Sequence, residues 1–172
     1  MIVPFRGASP RIESSAFIVD SAVVIGDVII GAQSSVWFHS VVRGDVQPIR
    51  VGARTNIQDH STVHVTSERF GTTLGDDVTI AHGVVLHGCV IGNRTLVGIG
   101  AIVLDGAEIG DDCLVAAGAL VTPQTRIAPG QLVLGSPARA VRPLTSAERS
   151  ELLTSAELYV HHAAEYRAAG IR

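Results

Sequence analysis

Three of the chain's seven histidines, His64, His82 and His87, fall within 24 residues, in "VHVTSERFGTTLGDDVTIAHGVVLHG". Three imidazoles that converge can hold a divalent ion, each nitrogen about 2 Å from it, and leave one coordination position open for chemistry. Three scattered imidazoles do nothing of the kind and are ordinary surface residues. Spacing along the chain leaves both readings open. The choice between them depends on the elements that carry the three side chains.

Those elements follow a period of six. Aliphatic residues recur at Ile12, Ile18, Val24, Ile30, Val36 and Val42, then after a short insertion at Val51, Ile57 and Val63. A second insertion around "TSERFGTT" leads to Leu74, Ile80 and Leu86. One step of five then opens the run Ile91, Val97, Val103, Ile109, Val115, Val121, Ile127 and Val133. Four residues after most of these stands something small or β-branched, such as Ala22, Ser40, Thr55, Ser61 or Ala101. Six is neither the helical 3.6 nor a plain strand alternation. It suits short strands joined by corners, each strand sending one aliphatic inward. Three strands close a triangular coil, and each coil buries its face only against its neighbours. The fold class is therefore an all-β solenoid, a parallel β-helix of hexapeptide repeats. Resemblance to known hexapeptide proteins implies that it is left-handed, against the usual crossover preference.

The coil is expected over residues 12–140, after a lead-in at 1–11. Residues 141–172 lose the period. There Thr145 and Glu148 form a capping-box pattern that opens a helix to about Ala168, with Gly170 near its end. Leu152, Ala156, Tyr159, Ala163 and Tyr166 share one face of it, as a helix packed on the coils requires.

Counting strands places the histidines. With face A beginning at Val63, Leu74 opens face B, Ile80 face C, and Leu86 returns to face A. His64 and His87 then hold the same position on adjacent coils, roughly 4.8 Å apart along the axis. Arg43 precedes them in a row reading Arg43, His64, His87, Leu104. His82 belongs to a different row, Phe38, Asp59, His82, Ile99, near the end of face C. Each row brackets polar residues with apolar ones, which suggests a patch meeting another protein surface. A threefold ring of heterologous contacts would bring His82 of one subunit to the His64–His87 pair of the next, and set Arg43 against Asp59. His39, His60, His161 and His162 read as surface or tail residues, Cys89 as a small corner residue and Cys113 as buried filler.

Bulk properties narrow the classes. The chain has 172 residues, 47% hydrophobic and 17% charged, enough for one buried domain. A net charge of −3 without a basic stripe gives no case for nucleic acid. No secretory leader or membrane span is legible, and two cysteines make no disulfide framework, so a cytoplasmic location is expected.

The block "VVRGDVQPIRVGARTNIQDHSTVHV", followed by "TIAHGVVLHGCVIG", resembles the γ-class carbonic anhydrases, a family of trimeric left-handed β-helix proteins. The resemblance spans nearly the whole chain. It implies a homotrimer in which His64 and His87 of one subunit and His82 of its neighbour bind one divalent ion per site. Zinc is the first expectation, and imidazole also suits Co, Fe and Ni. It further implies an intersubunit Arg43–Asp59 ion pair with Asp45 nearby, Gln58 hydrogen-bonding metal-bound water, Asn56 lining the pocket, and Tyr159 near the site. The implied reaction is attack of metal-bound hydroxide on CO2 to give bicarbonate, a carbonate dehydratase-type lyase activity on a small-molecule substrate. The chain departs from the fully active members where they carry glutamates that export the proton. Val46 follows Asp45, and Glu68 is the only carboxylate in a short loop, so weak activity is expected. This places it with the short-loop branch, some of whose members are linked to thioester hydrolysis. The alternatives are a metal-dependent acyl-CoA thioester hydrolase, a hexapeptide acyltransferase, for which "LGSPARAV" at the coil's end is also suited, and a rigid assembly scaffold.

Overall fold

A computed structural model describes residues 1–171. The chain winds into a left-handed parallel β-helix of about seven turns, closed by one C-terminal helix. Face C is a ladder of short strands from Phe17–Ile18, through Asn56–Ile57 and Thr79–Ile80, to Gln131–Gly135. Faces A and B share longer strands low in the coil, because Val23–Ile30 and Val41–Val51 run round the corner between them. Higher up the two faces separate into two- and three-residue strands such as Thr62–His64, Val85–His87 and Ile102–Val103.

The six-residue series is the core. Val42, Val63, Leu86 and Val103 from face A, Leu74 and Ile91 from face B, and Ile57, Ile80 and Val97 from face C are all buried. The residues four places on occupy the bends, and many are hydroxyls for a reason beyond size. A coil's corner turns a backbone carbonyl and amide inward, where no water reaches them. Ser40 Oγ donates to the Gln58 carbonyl at 2.7 Å, Ser61 Oγ to Ala81 at 2.9 Å, and Thr55 Oγ1 to Gly75 at 2.7 Å, each on the next coil.

Departures from the period collect at one place. The extra residues of 46–48 bulge from Val41–Val51 at the corner between faces A and B. The loop after His64 leaves at that same corner and is pinched by an isolated bridge between Thr66 and Phe70. The step of five falls there too, at Gly88, whose φ of +59° makes the turn without a spare residue.

The coiling begins ahead of Ile12, since Ile2–Val3 pairs in parallel with Val24 and Ile25. At the other end the chain does not pass straight into its helix. Ala138–Pro143 first turns back antiparallel on Gln131–Gly135 and covers that ladder's edge.

The helix spans Ser146–Ala168, with Thr145 as its N-cap and a complete capping box to Glu148. Leu152, Ala156 and Ala163 are buried against face C. Tyr159 and Tyr166 meet the Trp37 ring edge-on, with centroids at 5.4 and 5.1 Å. The three faces thus differ outside. Face C lies under the helix, and face B presents Arg11, Arg50, Glu108 and Arg126. Face A presents Val23, Val41, Thr62, Val85, Ile102 and Leu120, a mostly apolar row that is partly buried to exposed in the single chain. No helix among the described residues is long and apolar enough to cross a membrane.

Candidate metal centre

The ladder sets His64 against His87 in register, one coil apart on face A. Their rings lie with centroids 5.1 Å apart, and Nδ1 of His64 faces Nε2 of His87 at 3.1 Å. The other nitrogen of each ring is taken by a carboxylate. His64 Nε2 lies 2.9 Å from Asp45 Oδ1, and His87 Nδ1 lies 2.8 Å from Asp105 Oδ1. A neutral imidazole has one N–H. With both given to carboxylates, two lone pairs face each other at 3.1 Å, an arrangement that repels unless a cation or proton sits between them. Two nitrogens on one tetrahedral ion, each about 2.0–2.1 Å from it, lie about 3.3 Å apart. The donor pair therefore fits a metal ion, and the carboxylates behind it are the partners that ligating histidines ordinarily have.

His82 repeats the pattern elsewhere. Its Nδ1 lies 2.9 Å from Asp59 Oδ2, and the side chain is half exposed, so Nε2 faces outward. It stands at the end of face C, stacked above Asp59, with the Gly83 amide bonded to the Asp59 carbonyl. No group of three or more His, Cys, Asp or Glu side chains converges within one chain among the described residues.

The remaining expected residues divide the same way. Arg43 and Asp45 lie with His64 and His87 on face A. There Arg43 Nη1 pairs with Asp45 Oδ2, so within one chain the arginine's partner is Asp45. Asn56, Gln58 and Asp59 lie with His82 on face C. Gln58 is buried and its Nε2 donates to Asn56 Oδ1 at 3.1 Å; Asn56 Nδ2 donates in turn to Thr79 Oγ1 at 3.0 Å. That chain of polar groups ends at Ser155 of the helix, 3.3 Å beyond Thr79. Tyr159 lies on this side too, and burial, the Asp59 charge and Tyr166 together raise its pKa. One molecule thus carries two half-sets, on faces that point in different directions.

Electrostatics agree with fixed carboxylates. Burial opposes ionisation of Asp45, but hydrogen bonds with His64 and Arg43 outweigh it and hold the carboxyl below its ordinary range. Asp105 behaves alike, burial being outweighed by hydrogen bonds from Thr66 and His87. Burial pushes the Cys89 thiol, two residues from His87, up to about 12, which keeps it protonated and inert as a ligand.

Asp105 and Thr66 were not legible as site residues. The Thr66 hydroxyl donates to Asp105 and lies 3.3 Å from His87 Nδ1. Asp105 sits at a corner, and corners of this coil are rich in aspartates that do other work. Asp77 and Asp112, for example, bind Arg54 and Arg94.

Coils and converging imidazoles together define a hexapeptide-repeat β-helix protein with a candidate metal centre. Residues 88–123 match the family described as bacterial transferase hexapeptide (six repeats), and residues 48–87 that described as hexapeptide repeat of succinyl-transferase. Over 168 residues the chain is 43% identical to a carbonic anhydrase of Geobacillus kaustophilus, covering 98% of this chain and 92% of that one. It is 49% identical over 169 residues to Protein YrdA of Escherichia coli, covering 95% and 92%. A solved structure from Bacillus cereus, provisionally described as an acetyltransferase, superposes with a TM-score of 0.96 at 43% identity over 98% of both chains. The chain belongs to the γ-class carbonic anhydrase family of hexapeptide-repeat proteins.

Proposed function

We propose that the protein is a homotrimeric metalloenzyme that hydrates CO2 to bicarbonate at sites shared between subunits. The observation that carries this is the pair of facing nitrogens, His64 Nδ1 and His87 Nε2, 3.1 Å apart, with the other nitrogen of each ring against a carboxylate. His82 of a neighbouring subunit would supply the third imidazole, since its Nε2 is free and its Nδ1 is held by Asp59. A divalent ion in this set, zinc or another that imidazole suits, would supply the Lewis acidity that makes water nucleophilic near neutral pH. The chain's own residues do the rest. Asp45, Asp105 and Asp59 each take the N–H of one imidazole and so fix which nitrogen is offered. Gln58, steadied by Asn56, would orient the water in the assembled site. Tyr159 closes the face C side.

The trimer has its own support. An outward wall of Val23, Val41, Val85 and Ile102 is the face that carries His64 and His87, and a second copy of the chain would cover it. Contact between face A and the far end of a neighbour's face C unites the two half-sets and brings Arg43 to Asp59. Proton export is the weak step. Glu68 is the sole carboxylate of the Thr66–Phe70 turn, so turnover is expected to be modest and buffer-dependent.

A second reading, hydrolysis of an acyl thioester by the same centre, is favoured by one observation. A groove of about 290 Å³, lined by Gly88, Phe70, Val90, Arg50 and Arg69, lies round the corner from the face that carries His87. Stopped-flow CO2 hydration on protein of verified metal content separates the readings. Activity that disappears in His64→Ala and His87→Ala, with the trimer retained, supports the first. A metal-loaded trimer inert towards CO2 overturns it, and turnover of acyl-CoAs by that same protein would establish the second.

A further inference from the structure

His39 and His60 stand outside the centre just described, yet they are not scattered surface residues. They occupy successive turns of the corner between faces C and A, three places beyond the paired residues Val36 and Ile57. Both have φ of +59°, a left-handed conformation that few residues other than glycine adopt and for which histidine is among the enriched exceptions. Higher turns of the same corner use Gly83, Gly100 and Gly118. Identical backbone geometry on adjacent turns makes the two side chains leave in parallel. Their rings are stacked, with centroids 5.3 Å apart and planes within 20°.

That spacing can be compared with a pair whose nitrogens do converge. The His64–His87 centroids are 5.1 Å apart, and their facing nitrogens 3.1 Å. Both His39 and His60 are exposed in the single chain. Among the described residues no carboxylate or other side chain bonds either ring, which leaves all four ring nitrogens available. The backbone beneath is rigid, since the His60 amide donates to the Phe38 carbonyl at 2.9 Å and the His39 amide to Ser21 Oγ at 3.3 Å.

We infer that His39 and His60 form a second transition-metal site, a two-imidazole clamp for a late first-row divalent ion such as Cu2+, Ni2+ or Zn2+. Neutral imidazole selects that class of ion over Mg2+ or Ca2+, and Cu2+ binds such a site most tightly of the three. Two ligands preset on adjacent turns lose little freedom on binding, and water completes the coordination. The clamp uses residues of one chain only, so it does not depend on the trimer or on the function proposed above.

The test is a Cu2+ titration of metal-free protein, followed by calorimetry and by the nitrogen hyperfine pattern in electron paramagnetic resonance. His39→Asn with His60→Asn is the variant of choice, because asparagine also accepts the left-handed corner. The parent is expected to bind one more Cu2+ per chain than this double variant, and each single variant to bind the ion at least about tenfold more weakly, since losing even an outer-shell partner costs that much. In His64→Ala with His87→Ala the clamp's signal should persist, with two nitrogens coupled to copper. Equal Cu2+ stoichiometry in parent and His39→Asn/His60→Asn protein overturns the inference, as does a persisting signal without two nitrogens. If removing His64 and His87 changes no binding class while removing His39 and His60 abolishes one, the clamp stands and the proposed catalytic centre falls.

Discussion

Asp105 provides the sharpest test of how the centre is held. Its carboxylate lies 2.8 Å from His87 Nδ1 and accepts that N–H in the tautomer that offers Nε2 to a metal. A hydrogen bond to a charged group contributes about 1.5–3 kcal/mol, and loss of such a partner behind a ligating histidine weakens metal affinity about 10–100-fold. Asp105→Ala removes the bond but not every substitute. Thr66 Oγ1 already lies 3.3 Å from the same nitrogen and, freed from Asp105, can turn to accept its proton. A neutral hydrogen bond restores about 0.5–1.5 kcal/mol, so the net loss should be about 1–2 kcal/mol, or roughly 5–30-fold in affinity. The double variant Asp105→Ala/Thr66→Ala has no substitute and should approach the upper end of about 100-fold. Asp105→Asn keeps an acceptor without the charge and should lose least. Zinc affinity measured by competition with a chromophoric chelator, on variants whose thermal unfolding matches the parent, decides the matter. If Asp105→Ala binds zinc within about twofold of the parent, the carboxylate does not orient His87 and the reasoning fails.

Gly88→Ala should mimic the loss of Asp105, because a Cβ there would stand 2.9 Å from the Phe70 Cβ and collide with the Asp105 carboxylate, at a residue with φ of +59°; zinc affinity should fall with little change in circular dichroism. Arg43→Ala should weaken the trimer, because Asp59 of a neighbouring subunit would lose the guanidinium proposed to meet it, as a shift to lighter species in sedimentation at low concentration would show. Leu86→Ala empties a fully buried position and should cost about 2–5 kcal/mol in denaturant unfolding at fixed protein concentration. Thr145→Ala breaks the capping box and should cost about 0.5–2 kcal/mol. Its partner Glu148 is held at about 2 by hydrogen bonds from Arg142 and Thr145, so the helix's contribution from that cap is present above the ordinary value of 4.5 and is lost as pH falls towards 2. Helix melting in acid should therefore be advanced in Arg142→Ala, and an unchanged acid profile would contradict the pairing.

What could and could not be read from the chain separates along the geometry of the coil. Straight segments were legible, because every inward slot demands an aliphatic and a missed one would leave a void. The row Arg43, His64, His87 followed from counting those slots, and the ladder places Val42 against Val63 and His64 against His87. The capping box at Thr145 was legible for a similar reason, since the helix start has orphan amides that only a few side chains satisfy. Corners impose no such demand. Gln33, Arg54, Asp77, Arg94 and Asp112 all adopt the same left-handed conformation there, so residue type at a bend says little about its neighbours. Asp105 was hidden for that reason, as were the return strand Ala138–Pro143, where no period runs, and the Gln58–Asn56 link beneath the helix.

The corner between faces A and B is also where the insertions fall, and the two facts are connected. A regular coil would carry His64 and His87 with nothing behind them, since the next outward residue belongs to the corner and points away. The strand Val41–Val51 bulges at that corner, where Asp45 meets His64, and the glycine at position 88 leaves open the space that a Cβ would take from the Asp105 carboxylate. The bulge at 46–48 shifts a ladder's register, whereas Gly88 keeps its backbone hydrogen bonds to His64 and Gly106; a carboxylate meets an imidazole at each. Irregular coils are therefore the ones to search for such sites in a repeat protein of this kind, and restoring the period by inserting one residue beside Gly88 should leave the coil folded while separating Asp105 from His87.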